Sequence, residues 1–543
     1  MKKQFVFLFL FTMSIGFAQT QTIILGRPTD TSITASVLFD ANVQFYIEYG
    51  TQSATYSNST AVFNNALNVP DEIELTNLNP NTQYFYRLQY KLVGNSSYTA
   101  TPEYKFHTQR APGSTFNFTV EADEHLYGYG DTDIYQVTLA NEAAEQPDFM
   151  LSLGDIFGDD HTPTTTTSAD MDNLHKFYRE YLGQLCHSVP FYVCLGNHEG
   201  ENDYYLAQTP PDNIAVWGTL WRKYYYPNPS PNSFYSGNTA IENFGIDSPE
   251  NYYAWTWGDA LFVVLDVYRT ELFPGATPAD PTKPTNWDWT LGYTQYQWMR
   301  NILETSTATH KFVFAHHTRG QGRGGIGTAT GCEWGGMQGN QYKFDQYRPG
   351  WGKPIHQVFV DTGVDIFFQG HDHLFAKEQL NGVVYQEVPM PSDNTYTFGY
   401  SANATAYTDV TLDGTGHVKV NVTPECVTVD YVKSYLPQDT TSGLHANGEI
   451  GYSYTLGNCG LHTAQNELEL DFNAYPNPAN TIVNLNFKNK STPVKGALYN
   501  SLGQLVLAVN SNSVDVSALV NGLYFIKLDD YPSGIKKIII QHE

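Results

Sequence analysis

Five short clusters of metal-competent side chains punctuate the middle of the chain. They are Asp123-Glu124-His125, Gly154-Asp155, Gly196-Asn197-His198-Glu199, His316-His317 and Gly370-His371-Asp372-His373. Carboxylate oxygens and imidazole nitrogens together suit Mn, Fe and Zn alike. A carboxylate shared by two divalent cations about 3.5–4 Å apart builds a hydrolytic centre that lowers the pKa of a bound water towards about 7. Glycines directly before Asp155, Asn197 and His371 suit tight turns that aim these side chains inward. Singly, each residue has an ordinary reading, such as a helix cap for an Asp. Their joint recurrence carries the chemistry.

Each cluster follows an apolar run of strand character: 116–120, 149–153, 191–195, 311–315 and 364–368. In open α/β sheets ligands bind beyond the carboxyl ends of strands, so the five runs predict one sheet-edge site. Segments 172–186 and 293–304 carry apolar residues at helical spacing. Strands alternating with helices predict a layered α/β domain over 114–426. Asp266 also ends an apolar run, 261–265, and is read as structural.

On either side the pattern is purely β. Residues 21–110 alternate apolar and polar side chains in short runs, 33–39, 43–49 and 84–90 among them, which predicts a β-sandwich. Residues 427–465 are rich in Ser, Thr, Gly and Asn and read as a linker. From 466 to 543 a second β unit is expected, with strands at 482–487, 496–500, 504–508 and 523–528.

The ends and the composition narrow the setting. Lys2 and Lys3, an apolar run at 5–11 and small residues near Ala18 predict a signal peptide over 1–18. No later run is apolar enough to span a bilayer. A formal net charge of −26 opposes nucleic acid or anionic membrane as a general partner. It leaves room for an anionic substrate, because bound cations invert the local potential. Five cysteines without CxxC spacing rule out a zinc finger. Cys194 reads as a core residue, and Cys426 and Cys459 could pair outside the cell.

The five clusters, in the order DxH, GD, GNHE, H and GHDH, resemble the calcineurin-like metallophosphoesterase family over most of 116–380. The resemblance implies a four-layer α/β sandwich and a metal-dependent phosphoesterase. Asp123, His125 and His373 would hold one ion, Asn197, His316 and His371 a second, and Asp155 would bridge them. His316 is preferred to His317 because the family ligates through the first residue of an H-x-P unit, although Thr318 replaces that proline here. His198 would stand beside the phosphate as the catalytic imidazole, with Glu199 orienting it or a neighbouring loop. Arg319 and Arg323 could hold substrate phosphate. A hydroxide held by the metal pair would be the nucleophile.

Two further resemblances frame the domain. Leu75, Leu78, Pro80-Asn81-Thr82, Tyr84 and Tyr86 are similar to a fibronectin type III domain, which precedes the catalytic domain in purple acid phosphatase-like proteins. Tyr475-Pro476-Asn477-Pro478-Ala479, Asn500-Ser501-Leu502-Gly503 and Asn521-Gly522-Leu523-Tyr524 resemble a type A sorting domain of Bacteroidetes type IX secretion. They imply a secreted or cell-surface protein handled by that machinery. One departure stands out. Purple acid phosphatases carry a ferric-binding Tyr three residues after the bridging Asp, and Gly158 stands there. Mn, Zn or Fe(II) is therefore expected in place of a coloured Fe(III) centre. The nearby Asp159, Asp160 and His161 read as a solvated loop. The aromatic stretch from Tyr204 to Tyr226 reads as packing its own small core. Phosphate monoesters are the expected substrates. A diesterase acting on nucleotides or phospholipid headgroups, or a non-catalytic binding protein, are the alternatives.

Overall fold

The computed structural model describes residues 21–157, 164–206, 208–209, 211–269, 286–320, 323–459, 472–487, 495–500, 504–528 and 531–542. The expected signal peptide and Gly158 to His161 lie outside these residues. The chain divides into two compact units, 1–458 and 459–543.

The first unit opens with the expected β-sandwich. One sheet pairs Gln21–Gly26, Ile33–Phe39 and Asp71–Leu75; the other is built on Val43–Gly50 and Gln83–Leu92. Inward residues such as Ile23, Val37, Phe45, Leu88 and Phe106 make a separate core. Buried Arg179 ties this sandwich to the next domain, donating through Nη2 to the Ser36 carbonyl at 2.9 Å and through Nε to Thr22 Oγ1 at 3.1 Å.

Two larger sheets follow, packed face to face. The six-stranded sheet runs Phe191–Val193, Met150–Ser152, Phe116–Glu121, Gly416–Val422, Cys426–Lys433 and Ile450–Gly457. Its first three strands are parallel. The eight-stranded sheet contains Ala260–Val264, His310–Phe314, Ile366–Gln369 and Val383–Glu387 as parallel neighbours. Between the sheets lies an aromatic core in which Phe118 meets Phe149, Phe262 and Phe314, and Phe314 stacks on Phe368 at 4.9 Å. Helices cover both outer faces, giving four layers. Thr132–Glu145, Ser168–Leu182 and Ile214–Tyr225 lie on one side, Tyr293–Thr305 and Ile355–Thr362 on the other. Two helices start where capping demands: Asp131 accepts from the backbone of Asp133 and Ile134, and Thr167 forms a capping box with Asp170. The aromatic stretch after the GNHE cluster joins this outer layer, with Tyr225 and Tyr226 buried beside Phe157 and Phe191.

The linker reading of 427–465 is corrected. Residues Cys426–Lys433 and Ile450–Gly457 are the last two strands of the six-stranded sheet, so the domain continues past 426. Their Ser, Thr and Gly residues hide an alternation in which Val427, Val429 and Tyr431 enter the core and Tyr452, Tyr454 and Leu456 pack against it. Cys426 and Cys459 are disulfide-bonded, whereas Cys186, Cys194 and Cys332 are buried and outside any disulfide.

The second unit holds a three-stranded sheet (Phe472–Tyr475, Ile482–Phe487, Ser513–Asp515) and a four-stranded sheet (Leu505–Val509, Gly496–Asn500, Gly522–Leu528, Tyr531–Ile540). Val483, Leu485, Leu498, Ile526 and Ile538 form its core. No helix among the described residues is long and apolar enough to cross a membrane.

Candidate metal centre

All five clusters leave the carboxyl ends of their strands at one edge of the sandwich. Phe116–Glu121 delivers Asp123 and His125, Met150–Ser152 delivers Asp155, and Phe191–Val193 delivers Asn197 and His198. The facing sheet delivers His316 and His317 from His310–Phe314, and His371 and His373 from Ile366–Gln369. Five of these residues sit in the left-handed region: Asp123 (φ 61°), His125 (43°), Asp155 (61°), His371 (78°) and His373 (55°). Such backbone is uncommon for non-glycine residues and concentrates at functional sites. Gly154 (φ 98°) lets two of the turns meet, since a Cβ there would lie 2.2 Å from the Gly196 nitrogen.

Four overlapping groups have ligand atoms close enough to share an ion: Asp123/His125/His373, Asp123/Asp155/His316, His125/Asp155/His198 and His316/His317/His371. Asp123 Oδ2 accepts from the His371 amide at 2.7 Å. Its Oδ1 is fully buried and accepts no hydrogen bond among the described residues. Three imidazole Nε2 atoms surround that oxygen, from His373 at 3.5 Å, His125 at 3.7 Å and His316 at 3.8 Å. A buried carboxylate oxygen without a donor is costly, and a cation held among these groups would satisfy it. Asp155 Oδ1 accepts from the His198 amide at 2.7 Å; its Oδ2 lies 3.1 Å from His316 Nε2 and 3.9 Å from His125 Nε2. The residues present therefore fit a metal pair.

The surroundings fix which nitrogen each imidazole offers. His316 Nδ1 donates to the Leu153 carbonyl at 3.0 Å, and His373 Nδ1 donates to the Tyr400 carbonyl. With an ion bound, each would turn an unprotonated Nε2 to it. His125 Nδ1 meets the Tyr127 hydroxyl at 2.8 Å, and His371 Nδ1 lies 3.2 Å from His316 Nε2. Burial alone would raise both aspartates. The charges of His373 at Asp123, and of His316 and His198 at Asp155, outweigh it and hold both below the usual carboxylate range.

Around the ligands stands a braced frame. Glu199 takes the second of its two expected roles: it accepts from the backbone of Asp155 (3.0 Å), Ile156 (2.7 Å), Phe157 (3.1 Å) and Gly196, locking one ligand turn onto another. Arg323 donates through Nε to Asp372 Oδ1 and through Nη2 to the His371 carbonyl, both at 2.6 Å, and so braces the GHDH turn. Asp372 Oδ2 also accepts from Tyr407, which reaches Glu387 at 2.9 Å. Arg319 lies between the Tyr268 and Trp289 rings, 4.2 Å from each. Tyr268, which no sequence motif marks, belongs to this frame as well. Its hydroxyl meets His317 Nδ1 at 2.8 Å and Asn197 Oδ1 at 3.4 Å. Asp266, two residues earlier, accepts from the Tyr268 and Arg269 amides, the structural part expected of it.

Comparison with known proteins agrees with this geometry. Residues 116–375 match the calcineurin-like phosphoesterase family, and residues 473–541 match the secretion system C-terminal sorting domain. The chain thus carries a calcineurin-like phosphoesterase domain, a hydrolase of phosphate esters, with a type IX sorting domain behind it that marks it for secretion or the cell surface. Among solved structures it is similar to PhoD, with a TM-score of 0.55 at 16% identity over 80% of this chain and 90% of that one. It is also similar to purple acid phosphatase PPD1 from yellow lupin (Lupinus luteus) seeds, with a TM-score of 0.50 at 13% identity over 80% of this chain and 74% of that one. At these identities the likeness is one of fold. No curated protein matches the chain in sequence.

Proposed function

We propose that the protein hydrolyses phosphate monoesters outside the cell at two divalent ions, with Mn, Zn or Fe as the candidate metals. Asp123, His125 and His373 would hold one ion, Asn197, His316 and His371 the other, and Asp155 both. The observation that carries this reading is Asp123 Oδ1, buried without a hydrogen bond and ringed by three imidazole nitrogens at 3.5–3.8 Å. When bound, two such ions would neutralise phosphoryl charge and lower the pKa of a water towards about 7.

The chain's own groups do the rest. Asp123 and Asp155 stay ionised, and the carbonyls of Leu153 and Tyr400 keep His316 and His373 in the tautomer that offers Nε2. His198 stands at the rim with 13% of its side chain exposed and its Nε2 3.8 Å from Asp155 Oδ2. From there it can give a proton to the departing ester oxygen. Arg319 would meet the phosphoryl oxygens. Arg323, with 34% of its side chain exposed, would do so while bracing the ligand turn.

The test is hydrolysis of p-nitrophenyl phosphate against bis-p-nitrophenyl phosphate by the metal-loaded chain. The monoester should be preferred. His198→Ala should lower turnover by about 10²–10⁴-fold with metal content unchanged. Preference for the diester would replace this reading with a diesterase, and turnover of neither would end it.

A further inference from the structure

The loop after the first ligand pair places two tyrosines differently. Tyr127 is partly buried and meets His125 Nδ1 at 2.8 Å. Tyr129 is 39% exposed, although its ring lies 5.1 Å from the fully buried His125 ring and 6.2 Å from that of His373. The turn that holds it there is tight, with the amides of Gly128 and Gly130 both donating to the His125 carbonyl at 3.0 Å. A Cβ at Gly130 would lie 2.5 Å from the Glu124 carbonyl oxygen, so only glycine closes this turn.

A second segment, 389–403, brings Tyr400 against Tyr129. The rings stack with centroids 5.1 Å apart and planes 18° from parallel. The Tyr400 carbonyl holds His373, its hydroxyl donates to Asn394 Oδ1 at 3.1 Å, and the Asn394 amide donates to Asp131 Oδ2 at 2.6 Å. Tyr396 (φ 54°), Tyr400 (36°) and Ser401 (70°) keep left-handed backbone without being glycine, the strain that over-determined functional loops carry. A braced, partly exposed aromatic surface thus stands beside the His125/His373 half of the centre.

We propose that Tyr129 and Tyr400 form a specificity wall that receives a planar aromatic group carried by the organic part of the ester. This rests on the phosphoester reading. An ester whose phosphorus lies at the aspartates must pass its organic group across the rim of the site. On the His125/His373 side this tyrosine pair stands on that rim. Every nucleobase, like any aryl ring, has a π face that stacks on tyrosine without needing a matched hydrogen-bond pattern. If the tyrosines only shield the ligand imidazoles, their loss would weaken all substrates alike.

Two substrate pairs separate these cases at matched leaving oxygens: adenosine 5′-monophosphate with ribose 5-phosphate, and benzyl phosphate with cyclohexylmethyl phosphate. The metal-loaded chain should favour the aromatic member of at least one pair. Tyr129→Leu should then lower its kcat/KM by about tenfold, mainly through KM, with a several-fold smaller loss on the non-aromatic member. Tyr129→Phe, which keeps the ring, should retain the preference. A gain in the nucleotide pair places the ring beyond the sugar; one in the benzyl pair places it next to the ester oxygen. Equal treatment of both pairs by the unaltered chain, or equal losses on both members in Tyr129→Leu, would overturn the wall alone. No turnover of ribose 5-phosphate or any other ester would bring down the phosphoester reading and the wall with it.

Discussion

Glu121 and Asp123 are two residues apart at the end of one strand, both fully buried, and their carboxyl groups meet opposite surroundings. Glu121 faces the helix Thr132–Glu145, where the Tyr135 hydroxyl donates to it at 3.1 Å. Burial and the nearby Glu142 carboxyl both push it well above the ordinary carboxylate range. Burial acts the same way on Asp123, but the imidazoles of His373, His125 and His316 outweigh it. In a continued strand the two side chains would share a face; the left-handed φ of Asp123 ends the strand and turns it to the metal-binding edge. Burial alone therefore does not mark a site. A buried carboxylate facing imidazoles is poised for a cation, and one facing carboxylates holds a proton.

That contrast can be broken by substitution. Asp123→Asn should lower ester turnover by about a thousandfold and reduce the metal retained on dialysis; an active, metal-loaded variant would erase the distinction. A smaller effect comes from His175, a neutral buried base whose two ring nitrogens find no hydrogen bond among the described residues. Burial, with Arg222 and Arg179 nearby, lowers its pKa from 6.5 to about 3. Below pH 6.5 the unfolded chain gains a proton that the folded chain refuses, so stability falls as pH drops towards 3. His175→Phe should remove that loss, worth about 2 kcal/mol at pH 5 and vanishing above pH 7. Denaturant titrations at the two pH values measure it.

Tyr268→Phe should weaken the metal half proposed for Asn197, His316 and His371 by about tenfold, read by competition with a chelator. The other half should be spared. The smallest effect is expected at Glu121→Gln. Because Glu121 already holds its proton, the amide should keep metal content and turnover within about twofold. A large loss would show that the helix-facing acids serve the centre.

Much of this centre was legible in the sequence because its candidate ligands stand two to four residues past their strands, where short motifs record both type and place. Phe116, Phe118 and Val120, alternating with Asn117 and Thr119, enter the core. The left-handed turn at Asp123 was not legible, since no glycine announces it. Tyr268 and Tyr400 were missed for another reason. One acts through a hydroxyl and the other through a carbonyl, each reaching ligands distant in the chain. The strands Cys426–Lys433 and Ile450–Gly457 escaped because their outward Thr, Ser and Asp side chains dilute the apolar pattern. The pairing of Cys426–Lys433 with Gly416–Val422 on one side and Ile450–Gly457 on the other is a tertiary fact.

The proposed metal pair stands or falls with one carboxylate, Asp155, serving both ions. Metal analysis of the full chain and of Asp155→Asn after dialysis, each paired with ester hydrolysis, tests it most directly. About two ions per chain are expected in the unaltered protein, with loss of metal in Asp155→Asn and turnover falling with it. An Asp155→Asn chain that keeps both ions and full activity, or an unaltered chain that hydrolyses esters after its metal is stripped, would contradict it.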